Sequence, residues 1–272
     1  MKFWKYQGAG NDFIMVDQRT DRRLFRKDTE LIARLCDRRF GIGADGLILL
    51  ESHTDCDFEM IYFNADGRES SMCGNGGRCI AAFAEHLGIV KSSCRFIAID
   101  GLHEAVIVPQ KRAGLYWVEL KMTDVTAVER RDNNFILNTG SPHFVQFTTQ
   151  LTEKDMVMEG RAVRYSDAYR AEGVNVNLVE KQDDGSISIR TYERGVEDET
   201  LACGTGVTAA ALSASMLNGA SGDKYDIPVH ARGGDLRVRF RKGSQPGNFF
   251  DIWLCGPAEY VYSGEIPLDA GH

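Results

Sequence analysis

At 272 residues, of which 43% are hydrophobic and 26% are charged, the chain is long enough for one large domain or two modest ones. Its formal net charge of −7 and pI near 5.5 argue against a nucleic-acid partner, which usually needs a basic surface. No apolar run approaches the roughly 18 residues of a membrane helix and no secretory leader follows Met1, so we expect a cytoplasmic protein without membrane contact. Because cytoplasmic thiols stay reduced, the seven cysteines predict free thiols and not a disulfide framework.

The first predicted elements surround a glycine-rich segment. A helix is predicted over Leu31–Arg38 and a strand over Leu47–Leu50, and Gly41–Gly46 between them matches the pattern G-x-G-x-x-G. A dinucleotide-binding fingerprint has the reverse order, with a strand before the glycines and a helix after them. We therefore expect no dinucleotide at this segment.

A strand, a turn and an alanine-rich helix come next. The strand is predicted over Phe58–Phe63, the turn over Asn64–Gly67 and the helix over Gly77–Leu87, where Gly88 ends it. A helix that is apolar all round is buried on most sides, so we expect this one at the centre of a domain. Further strands are predicted over Arg95–Ile99 and Glu104–Val108.

The second half of the chain repeats this order. A strand is predicted over Ser186–Tyr192, a turn over Glu193–Gly195, and a second alanine-rich helix over Thr205–Leu217, which Asn218–Gly219 is expected to end. The later strands are expected to wrap around this helix, except the last, which we expect to cross back to the first domain. These strands are Leu236–Phe240, Phe249–Leu254 and Glu259–Tyr262.

An internal duplication accounts for the repeated order. Each helix is preceded by the pattern C-G-x-G, which begins at Cys73 and again at Cys203, 130 residues later. We therefore predict an α+β fold of two pseudo-symmetric domains, each a curved, mostly antiparallel, barrel-like sheet around a central helix. The first domain is expected to contain residues 1–114 and 258–272, and the second residues 115–257. The same ungapped offset also pairs Gly10 with Gly140, Gly43 with Gly173, Tyr62 with Tyr192 and Glu69 with Glu199.

Cys73 and Cys203 are placed where a thiol becomes reactive. The first turn of a helix has unpaired N–H groups and partial positive charge, which stabilise a thiolate and lower the thiol pKa from about 8.5. The adjacent glycines let backbone amides approach an anion such as a carboxylate. Two such thiols that face each other across one pocket could invert an α-carbon, one acting as thiolate base and the other as thiol acid.

The other five cysteines are interpreted as structural, because nothing places them at a comparable position. A disulfide between Cys73 and Cys203 is the alternative for that pair, and the reducing compartment disfavours it. No C-x-x-C or H-E-x-x-H pattern supports a zinc site, and no lysine stands out as a Schiff-base residue, so we expect no metal and no cofactor. The structural cysteines are Cys36, Cys56, Cys79, Cys94 and Cys255.

With these residues in view, the chain resembles the diaminopimelate epimerases, cofactor-independent enzymes that interconvert LL- and meso-diaminopimelate. The resemblance runs nearly from end to end, and its motifs are specific only as a set. They are Gly10-Asn11-Asp12-Phe13, Phe63-Asn64-Ala65-Asp66-Gly67, Cys73-Gly74-Asn75-Gly76-Gly77-Arg78-Cys79, Pro142-His143, Val174-Asn175, Glu193-Arg194-Gly195 and Ala202-Cys203-Gly204-Thr205-Gly206.

The resemblance implies a role for each matching residue. Cys73 and Cys203 correspond to the two catalytic bases, and His143 and Glu193 to polar neighbours that tune or orient the thiols. The helix starts grip the α-carboxylate, and an arginine fork suits the distal carboxylate of the substrate. Family members are often dimers, and diaminopimelate is the implied small-molecule partner. The residues that correspond to substrate-binding positions are Asn11, Asn64, Gly74, Asn75, Asn175, Glu193, Arg194, Gly204 and Thr205.

Two positions depart from the family pattern. Ser141 stands where many members have asparagine, and Gly46 where some have glutamine. Serine is shorter and glycine has no side chain, so contacts to the substrate at these positions are expected to be lost or bridged by water. The departures concern fine specificity more than the type of reaction.

Three other functions remain open at this stage. Proline or hydroxyproline racemisation also uses two cysteines, although the asparagines and Arg194 favour an acyclic substrate with a second charged head. A phenazine-type isomerase would have a carboxylate where this chain has Cys73. A non-catalytic amino-acid-binding relative would bind its ligand without turnover.

Overall fold

The computed structural model describes residues 1–217 and 222–268. The chain divides into two compact units, one containing Met1–Leu120 and the segment that begins at Pro257, the other containing Lys121–Gly256. Asn218–Gly219, predicted to end the second alanine-rich helix, lies outside the described residues. Within the described ranges, no helix is both long and apolar enough to cross a bilayer.

The first unit contains eight of the strands and two of the helices. The strands and helices predicted before residue 110 are all present, with ends within three residues of the predicted ones, and the strand predicted over Glu259–Tyr262 is the last part of a longer strand, Phe249–Glu265. The elements are β1 (Lys2–Gly8), β2 (Asn11–Asp17), α1 (Thr29–Cys36), β3 (Gly46–Glu51), β4 (Phe58–Asn64), β5 (Glu69–Ser70), α2 (Gly74–His86), β6 (Ser93–Ala98), β7 (Gly101–Pro109) and β8 (Leu115–Lys121).

The second unit follows the same order. A helix between its third and fourth strands takes the place of α1, and a short 3-10 helix, Leu151–Glu153, precedes it. The elements are β9 (Val128–Arg131), β10 (Asn134–Asn138), β11 (Pro142–Phe147), α3 (Met156–Arg164), β12 (Asn175–Lys181), β13 (Ile187–Glu193), β14 (Asp198–Thr200), α4 (Gly204–Leu217), β15 (Lys224–Ala231), β16 (Gly234–Lys242) and β17 (Phe249–Glu265).

The sheet of the first unit closes on itself. From the last part of β17 the neighbours run β1, β2, β3, β4, β6, β7 and β8, and β8 pairs with β17 again. The pairs β2–β3 and β4–β6 are parallel, and the pairs β1–β17, β1–β2, β3–β4, β6–β7 and β7–β8 are antiparallel. Helix α2 packs against β1, β2, β3 and β7, inside this barrel.

The second unit repeats the same pattern of strand directions. Its neighbours run β9, β10, β11, β12, β13, β15, β16 and the first part of β17. The parallel pairs, β11–β12 and β13–β15, fall at the positions that β2–β3 and β4–β6 occupy in the first unit. Helix α4 packs against β10, β11, β12, β13, β15 and β16. Both the α+β class and the predicted duplication of a barrel around a central helix are confirmed.

Both central helices begin earlier than predicted. Helix α2 starts at Gly74 instead of Gly77, with Cys73 as its extended N-cap residue, and α4 starts at Gly204 instead of Thr205. Glycine has low intrinsic helix propensity, so the sequence placed the first turn of α2 in a loop. Tight packing explains the glycines: a Cβ on Gly77 would lie 2.8 Å from Met72 Sδ and 2.9 Å from Leu120 Cδ2.

Candidate active site

Cys73 lies against an amide whose orientation is fixed. Its Sγ lies 3.6 Å from Oδ1 of Asn11, at the start of β2. The Nδ2 of Asn11 donates to Asp45 Oδ2 over 2.6 Å. A carboxylate accepts only, so Asn11 must turn its NH₂ group toward Asp45 and its oxygen toward Cys73.

The second residue of α2 reinforces this orientation. Asn75 Nδ2 donates to the same Asn11 Oδ1 at 3.5 Å, while Asn75 Oδ1 accepts from Arg78 at 2.8 Å. A guanidinium only donates, so the amide of Asn75 is oriented as well. Arg78 has no exposed surface and also donates to the carbonyl oxygens of Gly74 and Pro257. A buried cation thus supports the first turn of α2.

A charged cluster that the sequence did not predict lies behind Asn11. Asp12 accepts from Arg38 at 2.6 Å and pairs with Lys5 at 2.6 Å, and Arg38 also reaches Asp45 at 2.7 Å. Although burial acts against ionisation, hydrogen bonds from Arg38 and Lys5 hold the pKa of the Asp12 carboxyl well below its usual range. Asp12 belongs to the motif Gly10-Asn11-Asp12-Phe13, but its partners are distant in sequence and gave no local signal.

Cys203 has a different neighbour. It is 8% exposed, and its Sγ lies 3.4 Å from the hydroxyl of Thr205 in the first turn of α4. That hydroxyl lies 2.9 Å from Nε2 of His143 on β11. His143 is fully buried, and burial together with the charge of Arg194 lowers its pKa to about 3. The imidazole is therefore neutral at physiological pH.

Asn177 on β12 orients the imidazole and was not among the predicted site residues. Its Nδ2 lies 3.1 Å from His143 Nδ1 and also donates to the Phe144 carbonyl at 3.1 Å. Its Oδ1 accepts from the hydroxyl of Thr191 at 3.0 Å. A carbonyl only accepts, so Nδ2 is the donor and His143 Nδ1 the acceptor. The signal available in the sequence was an asparagine between two apolar strand residues, Val176 and Leu178.

Arg194 extends from the turn after β13, where its side chain is exposed. Its backbone N–H donates to Asn175 Oδ1 at 2.9 Å, and its guanidinium donates to the Glu172 carbonyl at 3.0 Å. Ser141 Oγ accepts from Asn175 Nδ2 at 2.9 Å and contacts Arg194 at 3.4 Å. The serine that departs from the family pattern therefore helps to hold two of the predicted binding residues.

Three further predicted positions occupy strand ends. Glu193 ends β13 and accepts from the Thr200 hydroxyl at 2.9 Å, and Asn64 ends β4 with an exposed side chain. Gly46 pairs with Asn64, and a Cβ there would lie 2.5 Å from the Phe63 carbonyl oxygen. A glutamine therefore does not fit at position 46 unless the strand moves.

Each unit brings its own predicted residues together. In the first unit, Asn11 and Asn75 contact each other and Asn11 contacts Cys73, whereas Asn64 stands apart at its strand end. In the second, Cys203, Thr205 and His143 form one chain of contacts, next to the group of Asn175, Arg194 and Ser141. Across the part of the chain that is described, no group of three His, Cys, Asp or Glu side chains could hold a metal ion.

The other cysteines differ from this pair. Burial raises the pKa of Cys36, Cys79 and Cys94 to about 12, so these thiols stay protonated. Cys255 is buried, and Cys56 donates to the Phe58 carbonyl at 3.2 Å. These environments agree with a structural role. All seven cysteines are free thiols.

Comparison with known proteins identifies the family. A family model described as diaminopimelate epimerase matches residues 3–128 and again residues 135–260. A diaminopimelate epimerase of Flavobacterium psychrophilum is 50% identical over 267 residues, which cover 98% of this chain and 100% of that protein. One from Chlorobaculum tepidum is 40% identical over 263 residues, covering 96% and 99%.

A solved structure shows the same fold at low sequence identity. The phenazine biosynthesis protein of the PhzF family from Bacillus anthracis superposes with a TM-score of 0.78 at 14% identity, covering 98% of this chain and 99% of that one. At that identity the likeness concerns the fold alone. The family rests on the two matches of the family model and on the relatives that align over nearly their whole length. This chain belongs to the diaminopimelate epimerase family.

Proposed function

We propose that this chain interconverts LL-2,6-diaminopimelate and meso-diaminopimelate by a cofactor-independent two-base mechanism, in lysine and peptidoglycan precursor biosynthesis. The observation that carries the proposal is the 50% identity to a diaminopimelate epimerase over 98% of the chain. The placement of Cys73 and Cys203 before equivalent helices supports it, because the reaction needs two groups of the same chemical type.

In this mechanism the thiolate of one cysteine removes the proton from the α-carbon. The thiol of the other cysteine returns a proton to the opposite face, which inverts the stereocentre. The backbone N–H groups of the helix starts stabilise the carboxylate as negative charge develops on it in the transition state. We assign this role to Gly74 with Asn75 and to Gly204 with Thr205.

The distal amino-acid head distinguishes diaminopimelate from smaller substrates. We assign its carboxylate to the exposed side chain of Arg194, whose backbone N–H donates to Asn175 and whose guanidinium also donates to the Glu172 carbonyl. Asn11, Asn64, Asn175 and Glu193 complete the proposed substrate contacts. His143 and Glu193 support the thiols without reacting themselves.

We expect the enzyme to act in the cytoplasm, where both thiols stay reduced, and to form a homodimer as family members often do. Sedimentation of the purified protein tests the second expectation. A single species at the mass of one 30.3 kDa chain would contradict it.

Exchange of the α-proton tests the proposed reaction most directly. We expect the protein to incorporate deuterium from heavy water at the α-carbon of LL- and meso-diaminopimelate, but not of proline or hydroxyproline. NMR follows the loss of the α-proton signal without a coupling enzyme. Exchange on proline alone would assign the chain to the racemase alternative instead, and binding of diaminopimelate without exchange would make it a non-catalytic relative.

Alanine variants test the two cysteines. Cys73→Ala and Cys203→Ala are each expected to lower the epimerisation rate about 100- to 10,000-fold, because each removes one acid–base partner. Cys56→Ala is the control, since that thiol is partly exposed and donates to the Phe58 carbonyl, two residues along the chain. Unchanged epimerisation in either of the first two variants would refute the two-base mechanism.

A further inference from the structure

The duplication provides an internal comparison between the two thiols. Each cysteine precedes a central helix, and its carbonyl accepts the first helical N–H over the same distance, 2.8 Å from Gly77 and 2.8 Å from Val207. The helix terminus therefore favours a thiolate to a similar extent at both positions. The side chains that contact each sulfur are then what can make the two thiols differ in protonation.

Cys73 faces a group that only accepts a hydrogen bond. Asp45 Oδ2 accepts from Asn11 Nδ2 at 2.6 Å, and Asn75 donates to Asn11 Oδ1. This oxygen therefore points toward Cys73 Sγ. A thiol can donate to that oxygen, whereas a thiolate would meet its lone pairs. The charges behind Asn11, on Asp45, Asp12, Arg38 and Lys5, pair with one another. The contact at 3.6 Å therefore stabilises the protonated form of Cys73.

Cys203 ends a chain of donors that runs in one direction. Asn177 Nδ2 donates to His143 Nδ1, which leaves the proton of the neutral imidazole on Nε2. Nε2–H donates to the Thr205 hydroxyl at 2.9 Å, which leaves the single hydrogen of that hydroxyl available for donation to Cys203 Sγ, 3.4 Å away. A hydroxyl that donates to sulfur stabilises the thiolate.

The first unit lacks this chain of donors at the equivalent positions. At the offset of 130 residues, Phe13 corresponds to His143, Leu47 to Asn177 and Asn75 to Thr205. Phe13 and Leu47 are fully buried apolar side chains and cannot relay a hydrogen bond. The two copies thus diverged at the residues that decide which form of each sulfur is stabilised.

We propose that Cys203 is the thiolate and Cys73 the thiol in the ligand-free enzyme, and that Thr205 is the positioning residue that sets this assignment through its hydroxyl. The assignment of the two protonation states does not depend on the proposed function, whereas the catalytic step that follows from it does. With the epimer whose α-hydrogen faces Cys203, this thiolate removes the α-proton: the C–H bond breaks, its electron pair stays on the α-carbon, and an S–H bond forms. Cys73 next gives its proton to the opposite face and becomes the thiolate.

Alkylation by iodoacetamide tests the assignment, because only the thiolate reacts. The rate at each cysteine is measured against pH in the ligand-free protein, with mass spectrometry to identify the modified residue. We expect the midpoint for Cys203 to lie at lower pH than that for Cys73. The pH midpoints are compared instead of the rates, because the exposure of a thiol changes its maximal alkylation rate but not its midpoint. The pKa values near 12 of Cys36, Cys79 and Cys94 keep these thiols out of the measurement.

Substitution of Thr205 tests the donor. Thr205→Val keeps the shape but loses the hydroxyl, and it should raise the Cys203 midpoint by about one to two pH units while leaving Cys73 unchanged. Thr205→Ser should restore the wild-type midpoint. Thr208→Val is the matched control, because Thr208 lies on the same helix and donates to the Gly204 carbonyl at 3.0 Å.

Three results would overturn the inference: a lower midpoint for Cys73, equal midpoints for both cysteines, or equal shifts in Thr205→Val and Thr208→Val. The comparison within the wild-type protein decides the assignment even if a variant fails to fold. No diaminopimelate is used, so a failure of the proposed function appears separately, as an absence of deuterium exchange in the wild-type protein.

Discussion

His143 shows how one buried residue connects the site to stability. The imidazole has no exposed surface, and both ring nitrogens have partners that suit the neutral form. Protonation would put a hydrogen on Nδ1 facing the NH₂ group of Asn177, and it would bury a charge near Arg194. The pKa of His143, about 3, therefore lies far below the value of about 6.5 for an unfolded chain.

This depressed pKa predicts a specific dependence of stability on pH. Below about pH 6.5 the unfolded chain binds a proton at His143 that the folded protein excludes, so stability falls as the pH falls toward 3. Between pH 6.5 and 5 we expect a loss of about 1–2 kcal/mol in the free energy of unfolding. Urea unfolding of the wild type and His143→Gln measures it, and the variant should lose less stability over this interval. Equal slopes in both proteins would contradict the prediction.

Arg194 allows a test of the proposed contact to the distal carboxylate. A lysine cannot reproduce the fork of a guanidinium, so Arg194→Lys should raise KM for diaminopimelate about tenfold and change kcat little. Arg170→Lys is the control, because Arg170 is an exposed arginine paired with Asp167. A fall in kcat at unchanged KM would instead indicate that Arg194 acts on the reacting carbon.

At the scale of elements, the strands, the helices and the duplication could be predicted because each depends on a pattern of neighbouring residues. In each copy the strand and the helix are apolar segments separated by turn residues, and the repeat of C-G-x-G after 130 residues revealed the duplication. The starts of α2 and α4 were wrong because glycine propensity favours loops, whereas dense packing holds these glycines in helices. The contacts of His143 with Asn177 and Thr205 join β11, β12 and α4, and no local pattern encodes such non-local contacts.

Equivalent glycines in the two central helices are expected to respond differently to alanine. A Cβ on Gly206 would lie 2.5 Å from Asn177 Oδ1, which Thr191 and the Phe144 carbonyl hold in place. A Cβ on Gly76 would meet the ends of flexible apolar side chains, the nearest at 3.1 Å. The gain in helix propensity is similar in both variants, so the comparison isolates the clash.

We therefore expect Gly206→Ala to be less stable than Gly76→Ala by about 1–3 kcal/mol. Thermal and urea unfolding of the two variants measure the difference. The displaced Asn177 should also release His143, so Gly206→Ala should shift the Cys203 alkylation midpoint in the same direction as Thr205→Val. Two variants of equal stability would show that the strand moves to make room.

At the scale of the whole molecule, the same order of parallel and antiparallel pairs recurs in both units although most side chains differ. The fold constrains strand directions and the apolar interior, while the residues around each sulfur were free to diverge. A duplicated fold can therefore place its two thiols in different surroundings, which in our proposal favour the thiolate at Cys203 and the thiol at Cys73.

The first part of strand β17, up to Gly256, belongs to the second unit, and the part from Pro257 belongs to the first. Truncation of the chain at Gly256 therefore removes a strand from the first unit alone. The last part of β17 pairs with β1, where Tyr260 lies opposite Tyr6, and Met1 and Ile266 bond to each other in both directions. The Pro257 carbonyl also accepts from buried Arg78. A chain that ends at Gly256 loses the strand that closes the first barrel, and it leaves unpaired edges on β1 and β8.

Hydrogen exchange followed by mass spectrometry measures the consequence. We expect amide exchange in β1 and β8 to accelerate more than about tenfold in the chain that ends at Gly256, whereas β11 and β12 stay protected. A chain that ends at Leu268 is the control, because it keeps all of β17. Retained protection in β1 would mean that the first unit holds its sheet without the returning strand, and a loss in both units would mean that they unfold together.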